Sequence, residues 1–241
     1  TPGTVHGMYE IHKKFGKLTW EELIQPSITL ASEGFRVTNE LAEALKSEQV
    51  KLGKSINTKK IFFKNGEPLK KDDLLIQTDL ANTLKLIAIH GSDGFYKGET
   101  AKKIALDMGN NGCLITIEDL SEYYSKLRDP IIFNYKNLKI ASMPPPSSGG
   151  LLLGLMLNML ENFDLSDDPN DVKNILIISE IMQIAFSLRA KHIGDEDFYP
   201  VPIENFLSED IASELSKIVN TKRTTTNSEI NNANILFKEN T

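Results

Sequence analysis

The sequence predicts a helix-rich α+β fold. Segments in which apolar residues recur with helical spacing, several of them opened by a capping residue, follow one another along the 241 residues. Residues 131–141 are instead rich in β-branched and aromatic residues and predict a hairpin with its turn near 134–137. With 25% charged residues, a chain of this length can bury a substantial core in one large domain or two small ones.

The first half of the chain is predicted to be mostly helical. Thr19-Trp20-Glu21-Glu22 is a capping box that predicts a helix start, with Pro26 near the first turn and Gly34 at the end. The other predicted elements here are helices at 5–15, 39–50, 78–89, 100–108 and 116–124, the last capped by Thr116, and a short strand and turn at 62–68.

The second half is predicted to contain the most apolar helices. An apolar run extends from Leu151 to about Phe163, and residues 172–192 carry apolar side chains on most faces, which predicts a central helix. A further helix is expected at 206–219, beginning near Ser208. We therefore divide the chain into a helix-rich domain, 1–220, and a polar, mobile tail, 221–241.

Composition excludes several classes of protein. A net charge of -6, with lysines scattered or in pairs such as Lys13-Lys14, argues against a nucleic-acid partner. No apolar run reaches the ~20 residues that span a bilayer. The single Cys113 excludes an internal disulfide framework, and we interpret it as a small buried hydrophobe. The start at Thr1, without a methionine or a leader, suggests a piece of a longer protein.

The most unusual backbone lies at residues 143–150. Pro144, Pro145 and Pro146 fix φ and remove three donors, so the segment is neither helix interior nor central strand. Ser147 and Ser148 then precede two glycines, which suits either a helix cap with a close backbone approach or a nucleophile beside an oxyanion hole. Because no base accompanies these serines in the sequence, the structural interpretation is favoured.

Other candidate chemistry is weak. The four histidines lack metal-ligand spacing, and the carboxylates of Gly194-Asp195-Glu196-Asp197 are too few for a Ca²⁺ loop, so we interpret them as a solvated turn. There is neither a phosphate-binding glycine loop nor a Gly-x-Ser-x-Gly elbow. No cofactor and no metal are predicted, and the residues alone do not establish catalysis.

Residues 143–150 resemble the proline-serine-glycine segment of the γ-glutamyltranspeptidases. Further stretches resemble that family in the same order and cover essentially the whole chain. They are Pro2-Gly3-Thr4-Val5-x-Gly7, the pattern from Leu23 to Phe35, Gly66-Glu67-Pro68-Leu69, Phe95-Tyr96-Lys97-Gly98, the pattern from Gly112 to Tyr123, and His192-Ile193-Gly194-Asp195-x-Asp197-Phe198 followed by Val201-Pro202.

The resemblance implies the later part of the large subunit of an N-terminal-nucleophile (αββα) hydrolase. Such a precursor cuts itself, and a threonine becomes the first residue of the small subunit and the nucleophile. By position, Thr241 is the expected catalytic residue and Asn240-Thr241 the expected autocleavage site. The rival, Thr224-Thr225-Thr226, is followed by Asn227 where the family has histidine. The substrate-binding arginine of the large subunit would lie upstream, outside this chain.

Two functions remain open at this point. The resemblance implies an enzyme that transfers γ-glutamyl groups from glutathione or poly-γ-glutamyl chains to water or to an amino-acid or peptide acceptor. It also implies a small-subunit partner and a periplasmic or extracellular location. The alternative is a non-catalytic scaffold or binding domain of a degenerate relative. In either case the chain alone is expected to be inactive.

Overall fold

Helices dominate the structure, which confirms the predicted helix-rich α+β class. The computed structural model describes residues 1–221, 223–226, 228–230 and 237, and the strands among them form three antiparallel pairs. The chain divides into two compact units, Thr1–Lys126 and Leu127–Thr241. Among the described residues, none of the helices combines the length and the apolar character needed to cross a bilayer.

The first unit contains nine helices and two short strand pairs among the described residues. β1 (Phe35–Arg36) pairs with β4 (Leu74–Leu75), and β2 (Phe63–Lys64) pairs with β3 (Glu67–Pro68). The helices are α1 (Thr4–Phe15), α2 (Trp20–Glu33), α3 (Asn39–Ser47), α4 (Gln49–Leu52), α5 (Ile56–Phe62), α6 (Thr78–His90), α7 (Asp93–Tyr96), α8 (Gly98–Asn110) and α9 (Ile117–Ser121).

Helix α2 begins where the sequence predicts. The Thr19 backbone N–H donates to Glu22 at 2.8 Å, and the Glu22 N–H donates to the Thr19 hydroxyl at 3.3 Å, which completes the capping box. Pro26 lies inside the helix rather than in its first turn. Helix α2 packs against α6, and the burial of Ile28 and Ala31 stabilises it despite the missing proline donor.

In the described part of the second unit, a hairpin and the four helices α10 to α13 pack around an apolar core. β5 (Ile131–Tyr135) and β6 (Leu138–Ser142) pair from Ile131↔Ser142 to Tyr135↔Leu138, so the predicted hairpin is confirmed. The helices are α10 (Gly149–Leu160), α11 (Val172–His192), α12 (Ile203–Leu207) and α13 (Glu209–Ser216). Fully buried residues of α10 and α11, among them Leu151, Leu155, Ile177 and Ile184, form the centre of the core.

One predicted helix is interrupted. The helix expected over 39–50 breaks at Glu48, which lies between α3 and α4. The helix expected over 206–219 begins near Ser208, as predicted, and ends at Ser216 as α13. The Ser208 hydroxyl accepts the Ile211 N–H at 3.2 Å and so caps α13, while the extended Ser208 backbone ends the separate short helix α12.

The interpretation of Cys113 as a buried residue was wrong. Cys113 is exposed, and its neighbour Leu114 is 91% exposed. The cysteine follows Gly112, whose φ of 70° turns the chain away from the end of α8. Residue type alone indicated burial, whereas the turn determines the exposure.

The predicted boundary at residue 220 stays a prediction, because much of the chain beyond it lies outside the described residues. The described residues in this region include several that are buried. Thr225, Ile230 and Phe237 are each no more than 2% exposed. They pack in the second unit, and their partners define the candidate site.

Candidate functional site

The predicted cleavage residues, Asn240 and Thr241, lie outside the described residues. The nearest described residue is Phe237, which is 2% exposed. Its ring stacks on His192 of α11 at 5.1 Å between centroids and meets Phe206 edge-on at 4.9 Å. Phe237, which precedes the predicted cleavage residues in the sequence, is therefore buried in the core of the second unit.

A second anchor holds Thr225. Its backbone N–H donates to Oε2 of Glu180 at 2.6 Å, and its carbonyl accepts from Nε2 of Gln183 at 3.4 Å. Glu180 and Gln183 are one turn apart on α11, so one helix face binds both polar groups of the Thr225 peptide backbone. The Thr225 hydroxyl donates to the Ile218 carbonyl at 3.3 Å. Thr225 is thus fully engaged in structural hydrogen bonds.

An ion pair rigidifies the chain on either side of Thr225. Arg223 donates through two nitrogens to the two oxygens of Glu229, at 2.7 and 3.0 Å. Glu229 also accepts the N–H and hydroxyl of Thr226, at 2.8 and 2.7 Å. The hydrogen bonds from Arg223, with smaller contributions from Thr226, lower the pKa of Glu229 from 4.5 to about 2. Arg223 has a raised pKa for the reciprocal reason, chiefly its hydrogen bond to Glu229.

These contacts bear on the rival nucleophile at residues 224–226. Thr225 and Thr226 bond to Ile218 and Glu229, and their backbone nitrogens donate to carboxylates. The hydroxyls and backbone nitrogens of Thr225 and Thr226 are thus bonded within the chain, so the contacts describe an anchored turn.

The proline-serine-glycine segment, residues 143–150, is a structural connection between β6 and α10. The Ser147 N–H closes a turn on the Pro144 carbonyl at 3.1 Å, and Arg189 donates through Nε to the Ser148 hydroxyl at 2.8 Å. A guanidinium cannot accept the serine proton, so this contact does not activate a nucleophile. A Cβ on Gly150 would lie 2.4 Å from the Met143 carbonyl oxygen. The expected close backbone approach is therefore present at Gly150.

The acidic turn at 195–197 is not simply solvated, as the sequence had suggested. Arg128 pairs with Glu196, lies 2.9 Å from Asp197 and 3.9 Å from Asp195, and its side chain is only 22% exposed. Desolvation opposes its charge, but the hydrogen bond to Asp197 and the charges of Asp197, Glu196 and Asp195 together outweigh this effect and raise the pKa of Arg128. These carboxylates therefore hold a cation supplied by the protein itself.

The histidines have structural partners where the contacts are described. His6 Nδ1 lies 2.8 Å from the Ser125 hydroxyl and accepts the Ser125 N–H at 3.1 Å, and His12 Nε2 lies 2.8 Å from the Leu18 carbonyl. Among the described residues, no group of three or more histidine, cysteine, aspartate or glutamate side chains is arranged to hold a metal ion.

The sequence reasoning missed both anchors. Glu180 is a buried carboxylate in an otherwise apolar helix pattern, and such a residue indicates an obligatory partner. That signal was available in the sequence. The identity of the partner, Thr225, was not, because it depends on how the chain returns to α11.

Comparison with solved structures defines the class of protein, because the fold matches the large-subunit portion of an N-terminal-nucleophile hydrolase. The chain aligns with the crystal structure of Helicobacter pylori γ-glutamyltranspeptidase with a TM-score of 0.90 and 40% identity, over 95% of this chain and 66% of that one. A family model described as gamma-glutamyltranspeptidase matches residues 1–241. The chain belongs to the γ-glutamyltranspeptidase family.

Curated relatives agree with this assignment. A glutathione hydrolase proenzyme of Bacillus subtilis (strain 168) is 40% identical over 220 residues, which cover 91% of this chain and 37% of the relative. A protein of the same name from Escherichia coli (strain K12) is 40% identical over 232 residues, 95% of this chain and 40% of the relative. The chain thus spans well under half the length of these two relatives.

Proposed function

We propose that the whole protein containing this chain is a γ-glutamyl acyltransferase and hydrolase that matures by cutting itself between Asn240 and Thr241. The observation that carries the proposal is the family match along residues 1–241, together with 40% identity to two proteins named glutathione hydrolase proenzymes. The word proenzyme in those names accords with a precursor that requires cleavage.

Maturation would begin with the Thr241 hydroxyl. In the precursor, its oxygen attacks the Asn240 carbonyl carbon, the bond to the Thr241 nitrogen breaks, and the hydroxyl proton passes to that nitrogen. Water then opens the resulting ester, which leaves a carboxylate on Asn240 and a free amine on Thr241. An α-amine with a pKa of ~8 can act as the base beside the hydroxyl, whereas the original amide cannot.

Turnover would follow the same chemistry with an external substrate. The Thr241 hydroxyl attacks the γ-glutamyl carbonyl of glutathione or of a poly-γ-glutamyl chain, and the leaving amine takes a proton. Water or the amine of an amino acid or peptide then opens the acyl-enzyme ester. The described residues provide neither the nucleophile nor a substrate carboxylate site, so we expect no turnover by this chain alone.

The proposed partner is the small subunit released by that cleavage. Ile175, Ile178, Met182 and Phe186 form an exposed apolar stripe along α11, each between 40% and 51% exposed. An apolar stripe of this length on a folded helix is typical of a surface that another element covers. The limited share of the relatives that the chain spans supports an occupant from the same precursor. By the family resemblance, we place the mature protein in the periplasm or outside the cell.

The test is to express the full-length protein and compare wild type with Thr241→Ala. Wild type is expected to give two subunits, with a cut between Asn240 and Thr241 located by intact mass, and to hydrolyse a chromogenic γ-glutamyl anilide. Thr241→Ala should remain one uncut, inactive chain, because it removes the attacking oxygen. Thr224→Ala is the matched control, since Thr224 is an exposed threonine of the rival triplet. An uncut wild-type chain without activity would favour the non-catalytic alternative.

A further inference from the structure

A groove in the first unit lies between helix α3 and the stretch of chain that begins with strand β3. Its volume is about 500 Å³, which is within the range of sites that hold small molecules. One wall is a single face of α3, because its four residues recur at positions i, i+3, i+4 and i+7: Asn39, Ala42, Glu43 and Lys46. The other wall is the continuous chain 67–71, and Gln49 of α4 completes the lining.

Both walls are held in place by the fold of the first unit. The Thr38 hydroxyl accepts the Leu41 N–H at 3.2 Å and so caps α3. On the other wall, Leu69 donates its N–H to the Phe62 carbonyl at 2.9 Å, and its side chain is buried in the same apolar cluster as Leu45 of α3. The groove therefore exists before a ligand binds, which limits the entropy lost on binding.

The lining of the groove carries charges of both signs. It contains three lysines and two glutamates, a net charge of +1, beside the buried Pro68 and Leu69. Four of these charged side chains form neither an ion pair nor a hydrogen bond with any residue that the structure describes: Glu43, Lys46, Glu67 and Lys71. Both walls thus present one cation and one anion that the protein itself does not neutralise.

The unpaired charges on α3 contrast with those of other helices. Glu43 and Lys46 are three residues apart, a spacing at which the same two residue types pair on three other helices. Those pairs are Glu10 with Lys13, Glu99 with Lys102, and Glu214 with Lys217. Exposed pairs of this kind contribute little to stability, so leaving Glu43 and Lys46 unpaired costs the fold little. Both side chains remain available to a ligand in the groove.

We propose that this groove binds a small zwitterion of net negative charge, an amino acid or short peptide that carries one ammonium and at least two carboxylates. Lys46 and Lys71, on opposite walls, bind the carboxylates, while Glu43 and Glu67 bind the ammonium. A simple dianion would satisfy the lysines but leave the glutamates facing like charge, and a simple amine would do the reverse. The inference does not rest on the proposed function.

The test is isothermal titration calorimetry of the full-length protein with three probes. L-aspartate carries one ammonium and two carboxylates, succinate lacks the ammonium, and β-alanine lacks one carboxylate. None of the three is a γ-glutamyl compound, so the proposed substrate is not used. We expect L-aspartate to bind about 10-fold more tightly than either of the others, because each of them lacks one charge that the groove complements.

Substitutions on the two walls locate the binding. Lys46→Gln and Lys71→Gln should each weaken L-aspartate binding about 3- to 10-fold, between the effects of losing an exposed ion pair and a charged hydrogen bond. Glu43→Gln removes an anion, so it should weaken L-aspartate binding and tighten succinate binding. Lys85→Gln is the matched control, because Lys85 is an exposed lysine of the same unit that does not line the groove. It should leave all three affinities unchanged.

The outcomes decide the proposal. It is wrong if wild type does not bind L-aspartate, or if succinate binds as tightly. It is also wrong if Lys46→Gln and Lys71→Gln, each folded by circular dichroism, bind L-aspartate as wild type does, because the binding then lies elsewhere in the full-length protein. An equal loss with Lys85→Gln would show a general charge effect and would likewise overturn it. If one wall variant does not fold, the other decides. Whether the protein cuts itself affects none of these results and is scored separately from its subunit masses.

Discussion

At the scale of single residues, Glu229 shows how one carboxylate organises a turn. It accepts two hydrogen bonds from Arg223 and two from Thr226, while its own N–H donates to the Thr226 hydroxyl at 3.4 Å. The arrangement combines an ion pair with a capping box. It keeps Thr225, which lies between Arg223 and Thr226, in the geometry that Glu180 binds.

The low pKa of Glu229 predicts a specific acid sensitivity. The group has a pKa of about 2 in the folded chain against 4.5 ordinarily, so its stabilising contribution is fully present above pH 4.5. The contribution is lost as the pH falls from 4.5 towards about 2, because the folded and unfolded forms then bind the same proton. The difference in unfolding free energy between wild type and Glu229→Gln should shrink through this window, as measured by urea unfolding followed by circular dichroism.

Glu209→Gln provides the control for the loss of one negative charge at an exposed position of the second unit. A difference between wild type and Glu229→Gln that stays constant from pH 4.5 to about 2 would contradict the assignment of the low pKa to this ion pair.

At the scale of elements, the connection from β6 to α10 (residues 143–150) requires close packing of the backbone. Gly149 and Gly150 are adjacent in the first turn of α10, yet their surroundings differ. A Cβ on Gly150 would meet the Met143 carbonyl oxygen at 2.4 Å and the Ser142 side chain at 3.1 Å. A Cβ on Gly149 would meet only the Ser147 hydroxyl oxygen within 4 Å, at an ordinary 3.7 Å. The helix therefore approaches the end of β6 through Gly150.

This contrast gives a matched pair of substitutions. Gly150→Ala should destabilise the second unit by about 1–3 kcal/mol, because backbone atoms cannot move aside as a side chain can. Gly149→Ala should be neutral or slightly stabilising, within about 1 kcal/mol, because alanine restricts the unfolded chain without a clash. Urea unfolding should be followed by circular dichroism, since the only tryptophan, Trp20, lies in the first unit. Equal effects of the two substitutions would rule out the close approach as the reason for Gly150.

At the scale of the whole molecule, the long helix α11 has a buried apolar face and an exposed apolar face. One set of α11 residues, including Ile177, Ile184 and Leu188, is fully buried in the core of the second unit. Another face carries the exposed stripe that includes Ile178 and Phe186. The sequence shows apolar residues on most faces of this helix, and that pattern is expected of a helix covered on all sides. The exposed part of the pattern therefore indicates a surface that a further part of the protein covers.

We predict that Ile178→Asp weakens association with the small subunit. A charge placed in the stripe would lose its hydration when the stripe is covered, whereas it stays solvated in the separate chain. The measurement is recovery of the small subunit with a tagged large subunit after expression of the full-length precursor. Lys173→Asp adds an acidic side chain at an exposed position on the opposite side of α11 and should leave recovery unchanged. Equal recovery with Ile178→Asp would place the partner on another surface.

The sequence alone was sufficient for the fold class, most helices, the hairpin and, through its motif resemblance, the family. These features depend on short-range signals: apolar periodicity, capping pairs such as Thr19 with Glu22, and motif stretches such as residues 143–150. Long-range packing decided the rest. The Arg128 cluster and the binding of Thr225 by Glu180 depend on residues brought together from distant parts of the chain. Local propensities cannot specify such contacts, because they form only when the elements pack.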